Sequence, residues 1–136
     1  MTSPGRPPGV RFARWVFGAS GVYGLALLLP QYLLEDRLNR DYPPAITHPE
    51  YFYGFLGVAV AWQVAFLLIA RDPARHRPLM PAGVVEKFSF AGAAAVLMSQ
   101  GRISTATFGF GMLDGLLGVL FLVAYFVTPA ARAEGT

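Results

Sequence analysis

Four long apolar stretches divide the chain, and each is continuously hydrophobic rather than alternating with polar residues. They cover residues 12–29, 51–70, 82–99 and 106–127. Each is close to the about 20 residues that an α-helix needs to cross about 30 Å of hydrocarbon. The pattern therefore predicts an all-α polytopic membrane protein, with a bundle of four transmembrane helices as a single domain over residues 12–128.

The segments outside these stretches are rich in proline, glycine and charge. Residues 1–11 and 129–136 predict a flexible N-terminal arm and a flexible tail. Pro30 is expected to end or kink the first helix. Residues 31–40 mix leucine with charge, which suits either a short interfacial helix or the last turns of a kinked first helix.

Two predicted helices begin with capping residues. Thr47 and Glu50 have the spacing of a capping box, with Pro49 tolerated in the first turn of the second predicted helix. The pair Ser104-Thr105 precedes the fourth predicted helix.

Composition places the protein in lipid, because 54% of its 136 residues are hydrophobic and only 14% are charged. That length leaves no room for a separate soluble catalytic domain. The absence of cysteine excludes disulfides, thiolate metal sites and iron–sulfur clusters. A net charge of +3, gathered at the helix ends, is a topology signal. We therefore expect membrane lipids and no nucleic acid as partners.

The basic residues predict the orientation. Eight flank the side of both termini, against three on the other side, and the positive-inside rule then makes both termini cytoplasmic in a bacterial inner membrane. The eight are Arg6, Arg11, Arg14, Arg71, Arg75, Arg77, Lys87 and Arg132, and the three are Arg37, Arg40 and Arg102. The first helix is expected to be retained rather than cleaved as a signal peptide, because no small-residue cleavage site follows it.

Asp114 is the charge that lies deepest in an apolar stretch, about 12 Å from the outer end of the fourth helix. It shares one face with Gly111 and Gly118, and Gly111 and Gly115 form a GxxxG pair that another helix could approach closely. Two interpretations stay open for Asp114: an interhelical strut, or a site for a ligand or a proton.

Three further polar residues lie within the predicted spans: Glu86, Gln63 and Tyr23. With Asp114 they would form a graded polar column, in which Tyr23 is the expected hydrogen-bond partner of Asp114. The heights of Glu86 and Asp114 differ by about 12 Å, which argues against joint catalysis. Lys87 is expected to extend to the lipid headgroups. Its direction differs from that of Glu86 by about 100°, so the two are not expected to form a same-face pair within their helix. We predict a ligand site at these four residues.

No cofactor or metal is expected. The two histidines, His48 and His76, lie in loops on opposite sides of the predicted membrane and cannot share one haem or one metal. Catalytic triads, phosphate loops and HExxH sites are absent from the sequence.

The region from the second to the fourth predicted helix resembles the DoxX-like small four-helix bacterial membrane proteins. The likeness covers roughly residues 50–128. It is carried by Tyr53-Gly54-Phe55, Trp62-Gln63, Ile69-Ala70-Arg71-Asp72-Pro73, Arg77-Pro78-Leu79-Met80, Glu86-Lys87, Asp114 and Gly118. The resemblance implies a four-helix bundle without an established activity, and it transfers no catalytic residue. Some relatives are linked to quinone or redox complexes.

Several functions remain open from the sequence. The first is a non-catalytic bundle, alone or as a homo-oligomer, that binds lipid or a small hydrophobic molecule. The second is a membrane-embedded enzyme or quinone-linked redox accessory subunit, and the third is a subunit of a proton-coupled transporter.

Overall fold

The computed structural model describes residues 5–131, which form five α-helices and no β-strand. The helices are α1 (Pro8–Leu28), α2 (Glu35–Asp41), α3 (Pro49–Arg71), α4 (Met80–Ser99) and α5 (Thr105–Val127). All except α2 lie in segments that are long and apolar enough to cross a membrane. The predicted all-α bundle of four long helices is therefore confirmed, and the protein is a membrane protein.

The N-terminal boundary of the bundle differs slightly from the prediction. α1 begins at Pro8, where a residue without an amide hydrogen fits the first turn. The predicted arm over residues 1–11 therefore overlaps this helix, and residues 1–4 lie outside the described residues. Residues 132–136 of the predicted tail lie outside them as well.

The predicted capping box at the start of α3 is wrong. The N-cap is His48 and makes no side-chain cap hydrogen bond, because Pro49 takes the first helical position and moves the start one residue onward. Glu50 instead lies 3.3 Å from His48 Nδ1. The cap of α5 forms as expected, since Ser104 Oγ accepts a hydrogen bond from the amide of Thr107 at 3.2 Å.

The segment between α1 and α3 has the predicted break and short helix. α1 gives way to a 3₁₀ turn over Leu29–Leu33, which contains Pro30, and α2 follows. α2 is fixed to α3 by a hydrogen bond of 2.6 Å from the Tyr53 hydroxyl to Glu35.

The long helices pair through glycines, which the spacing of Gly111 and Gly115 predicts for α5. A Cβ at Gly21 would lie 2.8 Å from Leu67, so this glycine lets α1 approach α3 closely. Gly111 lies in the same way against Ala94, between α5 and α4. Gly101, with a φ of +66°, makes the turn that joins α4 to α5.

The bundle has two different halves. In the packed half, near both termini, Phe17, Phe66 and Phe121 are fully buried against one another, with ring centroids 4.0 to 5.9 Å apart. The open half lies near the α4–α5 turn, and α3 and α4 make little contact with each other along their whole length. A gap between these two helices is therefore built into the fold.

Candidate functional site

A cavity of about 330 Å³ lies among α1, α3, α4 and α5 in the open half. All four residues that the sequence singled out line it: Tyr23, Gln63, Glu86 and Asp114. Its size falls in the usual range for small-molecule sites. The structure thus brings the four residues to one place, and their role in ligand binding stays a prediction.

The polar wall of the cavity consists of Gln63, Glu86, Lys87 and Asp114, and Lys87 lies at its centre. Its Nζ donates a hydrogen bond of 3.1 Å to Asp114 and lies 3.4 Å from Glu86 Oε2. The residue is only 5% exposed, so the expectation that it extends to the headgroups is wrong. Two carboxylates inside the bundle offer the ammonium a better environment than the membrane surface does.

Two further expectations about these charges are corrected. Glu86 and Lys87 do pair, because their side chains are long and flexible enough to converge although their backbone directions differ. Glu86 and Asp114 were expected at different depths, yet both contact the same ammonium. The predicted heights of these residues were counted along the helix axes and left out the length of the side chains. The Lys87 side chain reaches both carboxylates and so spans the difference in height.

Gln63 presents an unused hydrogen-bond acceptor. Its Nε2 donates to the carbonyl of Ala59 at 3.1 Å, one turn earlier in α3. Its Oε1 has no hydrogen-bond partner, although the residue is only 3% exposed. The side chain packs against Gly24 of α1, where a Cβ would clash with the amide. Such an orphaned buried group is costly unless something else satisfies it.

Glu86 contributes a second acceptor of this kind. Its Oε2 is buried and lacks a hydrogen bond, even though Lys87 Nζ is 3.4 Å away. The contact is therefore a charge interaction without hydrogen-bond geometry.

Tyr23 lies at the rim of the cavity and is 37% exposed. Among the hydrogen bonds of residues 5–131, none joins Tyr23 to Asp114, so the predicted bond is wrong. The carboxylate is satisfied by Lys87 instead, which is the stronger, charge-assisted partner.

The remaining walls are apolar. Phe55, Phe90 and Phe110 line the cavity, and Lys87 Nζ lies 5.4 Å from the ring of Phe66 in the packed half. A second groove, of about 550 Å³, runs between α3 and α4 and shares Phe55 and Phe90 with the cavity. The polar pocket and the apolar groove therefore lie side by side.

A metal site does not fit these residues. Over residues 5–131, no group of three or more His, Cys, Asp or Glu side chains is placed to hold a metal ion. The polar wall contains two carboxylates, and the ammonium of Lys87 already lies between them.

Lys87 is the site residue that the sequence interpretation missed. The signal was the glycine face of α5, because Gly111 meets Ala94 and Gly118 meets Lys87, which fixes an antiparallel register. In that register Asp114, midway between the two glycines, is about one helical turn from Lys87. A lysine side chain reaches across that distance.

No protein-family model, curated protein or solved structure matches this chain. The resemblance to the DoxX-like proteins therefore rests on the residue pattern alone and stays a prediction.

Proposed function

We propose that this protein is a non-catalytic bundle of the bacterial inner membrane that binds a lipid or another small hydrophobic molecule in the cavity. The observation that carries the proposal is the cavity itself, a space of about 330 Å³ with aromatic walls and a polar wall centred on Lys87. Polar groups that served only as struts would be packed against their neighbours, whereas these groups border an open space.

The surroundings support the same conclusion. Aromatic rings supply apolar area, and the Lys87 ion pair fixes the polar wall in place. Small-molecule sites commonly combine a mostly apolar surface with a few converging polar groups. The groove between α3 and α4 gives a hydrophobic molecule a route from the bilayer.

Native mass spectrometry from mild detergent tests the proposal. The wild-type protein should retain a bound molecule, and Leu27→Trp, at the cavity wall, should lose it because the indole fills the space. Leu122→Trp is the matched control, since both leucines are 40% exposed and Leu122 does not line the cavity. Equal retention by both variants would overturn the proposal. The same spectra give the subunit count, which tests the predicted homo-oligomer.

A second candidate is an enzyme that acts on a lipid-soluble substrate. It is favoured by one observation, namely that Glu86 and Asp114 both contact Lys87 and so lie close enough to share a substrate. Product formation from a co-purified molecule, lost in Glu86→Gln, would favour this candidate over simple binding.

We further propose that both termini are cytoplasmic. The excess of arginine and lysine at the packed end of the bundle supports this orientation. Because the chain has no cysteine, Arg75→Cys and Asp41→Cys each introduce a single thiol. An impermeant thiol reagent applied to intact spheroplasts should label only Asp41→Cys, and the reverse pattern would contradict the orientation.

A further inference from the structure

We propose that a groove between α1 and α3, at the packed end of the bundle, holds one anionic phospholipid. The lipid phosphate lies between Arg14 and Arg71, and one acyl chain follows the groove. The groove has a volume of about 580 Å³ and shares no lining residue with the cavity. This site is therefore separate from the proposed function and does not depend on it.

The contact between α1 and α3 brings the two arginines to the same end of the bundle. A Cβ at Gly18 would lie 3.6 Å from the Cβ of Ala70. A Cβ at Gly21 would lie 2.8 Å from Leu67, so the two helices run antiparallel. In that register the two arginines are about one helical turn apart along the bundle axis. Both of their side chains border the same groove.

The groove carries positive charge without a neighbouring negative charge. Arg14 and Arg71 are the charged residues among those that line it, and both are exposed. Within residues 5–131, neither guanidinium takes part in a hydrogen bond or an ion pair. The acidic residue next in sequence, Asp72, accepts a hydrogen bond from the amide of Arg75 in the following loop at 3.3 Å. The two guanidinium groups are thus available to a phosphate, whose oxygens match their geometry.

The rest of the groove suits an acyl chain. Small and aliphatic residues line it: Gly18, Ala19, Val22, Leu67 and Ala70. Val22 lies eight residues beyond Arg14 in α1, which is about 12 Å deeper along the helix axis. A molecule whose phosphate meets the arginines can therefore lay the first part of its chain against apolar surface. Positive charge at one end and apolar surface along the remainder match an anionic lipid better than a free anion.

Trp15 indicates the depth of the site. It lines the groove beside Arg14 and is 77% exposed. Tryptophan side chains concentrate where the headgroups meet the hydrocarbon. The neighbouring arginines therefore lie at the level of the lipid phosphates, and the indole can report on a chain in the groove.

The test uses quenching of Trp15 in a Trp62→Phe background, which leaves a single tryptophan. The protein is reconstituted in vesicles of phosphatidylcholine and phosphatidylglycerol, with brominated chains on one lipid or on the other. Both sets of vesicles contain the same total amounts of the two lipids, so the surface charge is equal and only the brominated species differs. We expect an occupancy per lipid about tenfold higher for phosphatidylglycerol than for phosphatidylcholine, as two partly screened arginines would give.

Substitutions of arginine assign the preference to the groove. Arg14→Gln and Arg71→Gln should each lower it about threefold. Arg11→Gln and Arg75→Gln are the matched controls and should retain it, since both arginines are exposed at the same end but do not line the groove.

A second pair of variants tests the place of the chain. Ala19→Phe should lower the preference, because the ring occupies the groove. Ala26→Phe should keep it, since Ala26 is also exposed in α1 but lies outside the groove. If Trp62→Phe fails to fold, the unaltered chain gives the same comparison through its melting temperature in detergent. Phosphatidylglycerol should raise that temperature more than phosphatidylcholine does.

Four results would overturn the inference. Equal quenching by the two brominated lipids would show that the site does not select an anionic lipid. Equal losses in the groove variants and their controls would reduce the effect to general surface charge. Displacement of the lipid by glycerol phosphate would indicate an anion site that needs no chain, and no quenching by either lipid would mean that a second copy of the protein covers the groove.

Discussion

The packed half and the open half of this bundle are built from the same four long helices, but side chains fill the first and a cavity lies in the second. In the packed half, Phe17, Phe66 and Phe121 fill the space where α1, α3 and α5 meet. In the open half, the cavity is lined by the small residues Gly24 and Ala59 and by the charged side chains of the polar wall. The rings of Phe55, Phe90 and Phe110 line this space without filling it, whereas the rings of the packed half pack directly against one another.

The difference shows where stability and chemistry lie in a small membrane protein. The packed half holds the bundle together, and a loop contact reinforces it, since Arg77 donates to the Tyr125 carbonyl at 3.0 Å and lies over its ring. α3 and α4 make little contact along their whole length, and the cavity lies among the four long helices in the open half.

The largest expected effect is in the packed half. Phe121→Ala should lower the free energy of unfolding by about 4 kcal/mol, because it leaves a cavity among fully buried rings. Thermal unfolding in mild detergent measures it. Phe126→Ala is the control in the same helix, since Phe126 is 71% exposed and should change little. Equal effects of the two would remove the distinction between packed and exposed aromatic residues.

A somewhat smaller loss is expected at the polar wall of the open half. Lys87→Met should destabilise the protein by about 3 kcal/mol, because Glu86 and Asp114 lose their shared counter-charge. Chemical unfolding in detergent measures the change. Arg102→Met, at an exposed position in the α4–α5 turn, serves as the control. A loss no greater than in the control would mean that the ion pair does not hold the wall.

The contact between α4 and α5 can be tested by a pair of glycines in one helix. Gly111→Ala should cost about 2 kcal/mol, because the added methyl group would meet Ala94. Gly109→Ala should cost nothing, since no atom lies within 4 Å of the new Cβ. Differential scanning fluorimetry on both variants separates close packing from helix propensity, and identical melting temperatures would exclude close packing.

The smallest effect concerns the cap where α5 begins in the open half. Ser104→Ala should lose about 1 kcal/mol, because the amide of Thr107 loses its acceptor. Ser99→Ala is the control, since that hydroxyl only donates to a carbonyl of its own helix. Hydrogen exchange at the first turn of α5 should rise in Ser104→Ala alone, and unchanged exchange would show that the cap is dispensable.

The architecture was readable from the sequence because lipid imposes a simple rule. A spanning segment must satisfy its own backbone, so length and continuous hydrophobicity predict α3, α4 and α5 to within two residues. The start of α1 was placed late, because Pro8 and Gly9 are typical of loops as well as of first helical turns.

Only part of the candidate site could be predicted from the sequence. Burial of a polar residue in an apolar stretch identified Asp114, Glu86, Gln63 and Tyr23, since such positions are costly. The hydrogen-bond and ion-pair partners of these residues were not predictable in the same way, because they depend on helix register and on the length of the side chains. Lys87 shows this most clearly, since a lysine near a helix end suits the membrane surface and this one turns inward.

The contrast between the two halves is tested most directly by thiol accessibility in a chain that has no cysteine. Ala59→Cys lies at the cavity, and Ala124→Cys lies in the packed half, while both alanines are buried. We expect a small permeant methanethiosulfonate to modify Ala59→Cys in the native protein and Ala124→Cys only on unfolding. Equal rates of modification at the two positions would contradict the account.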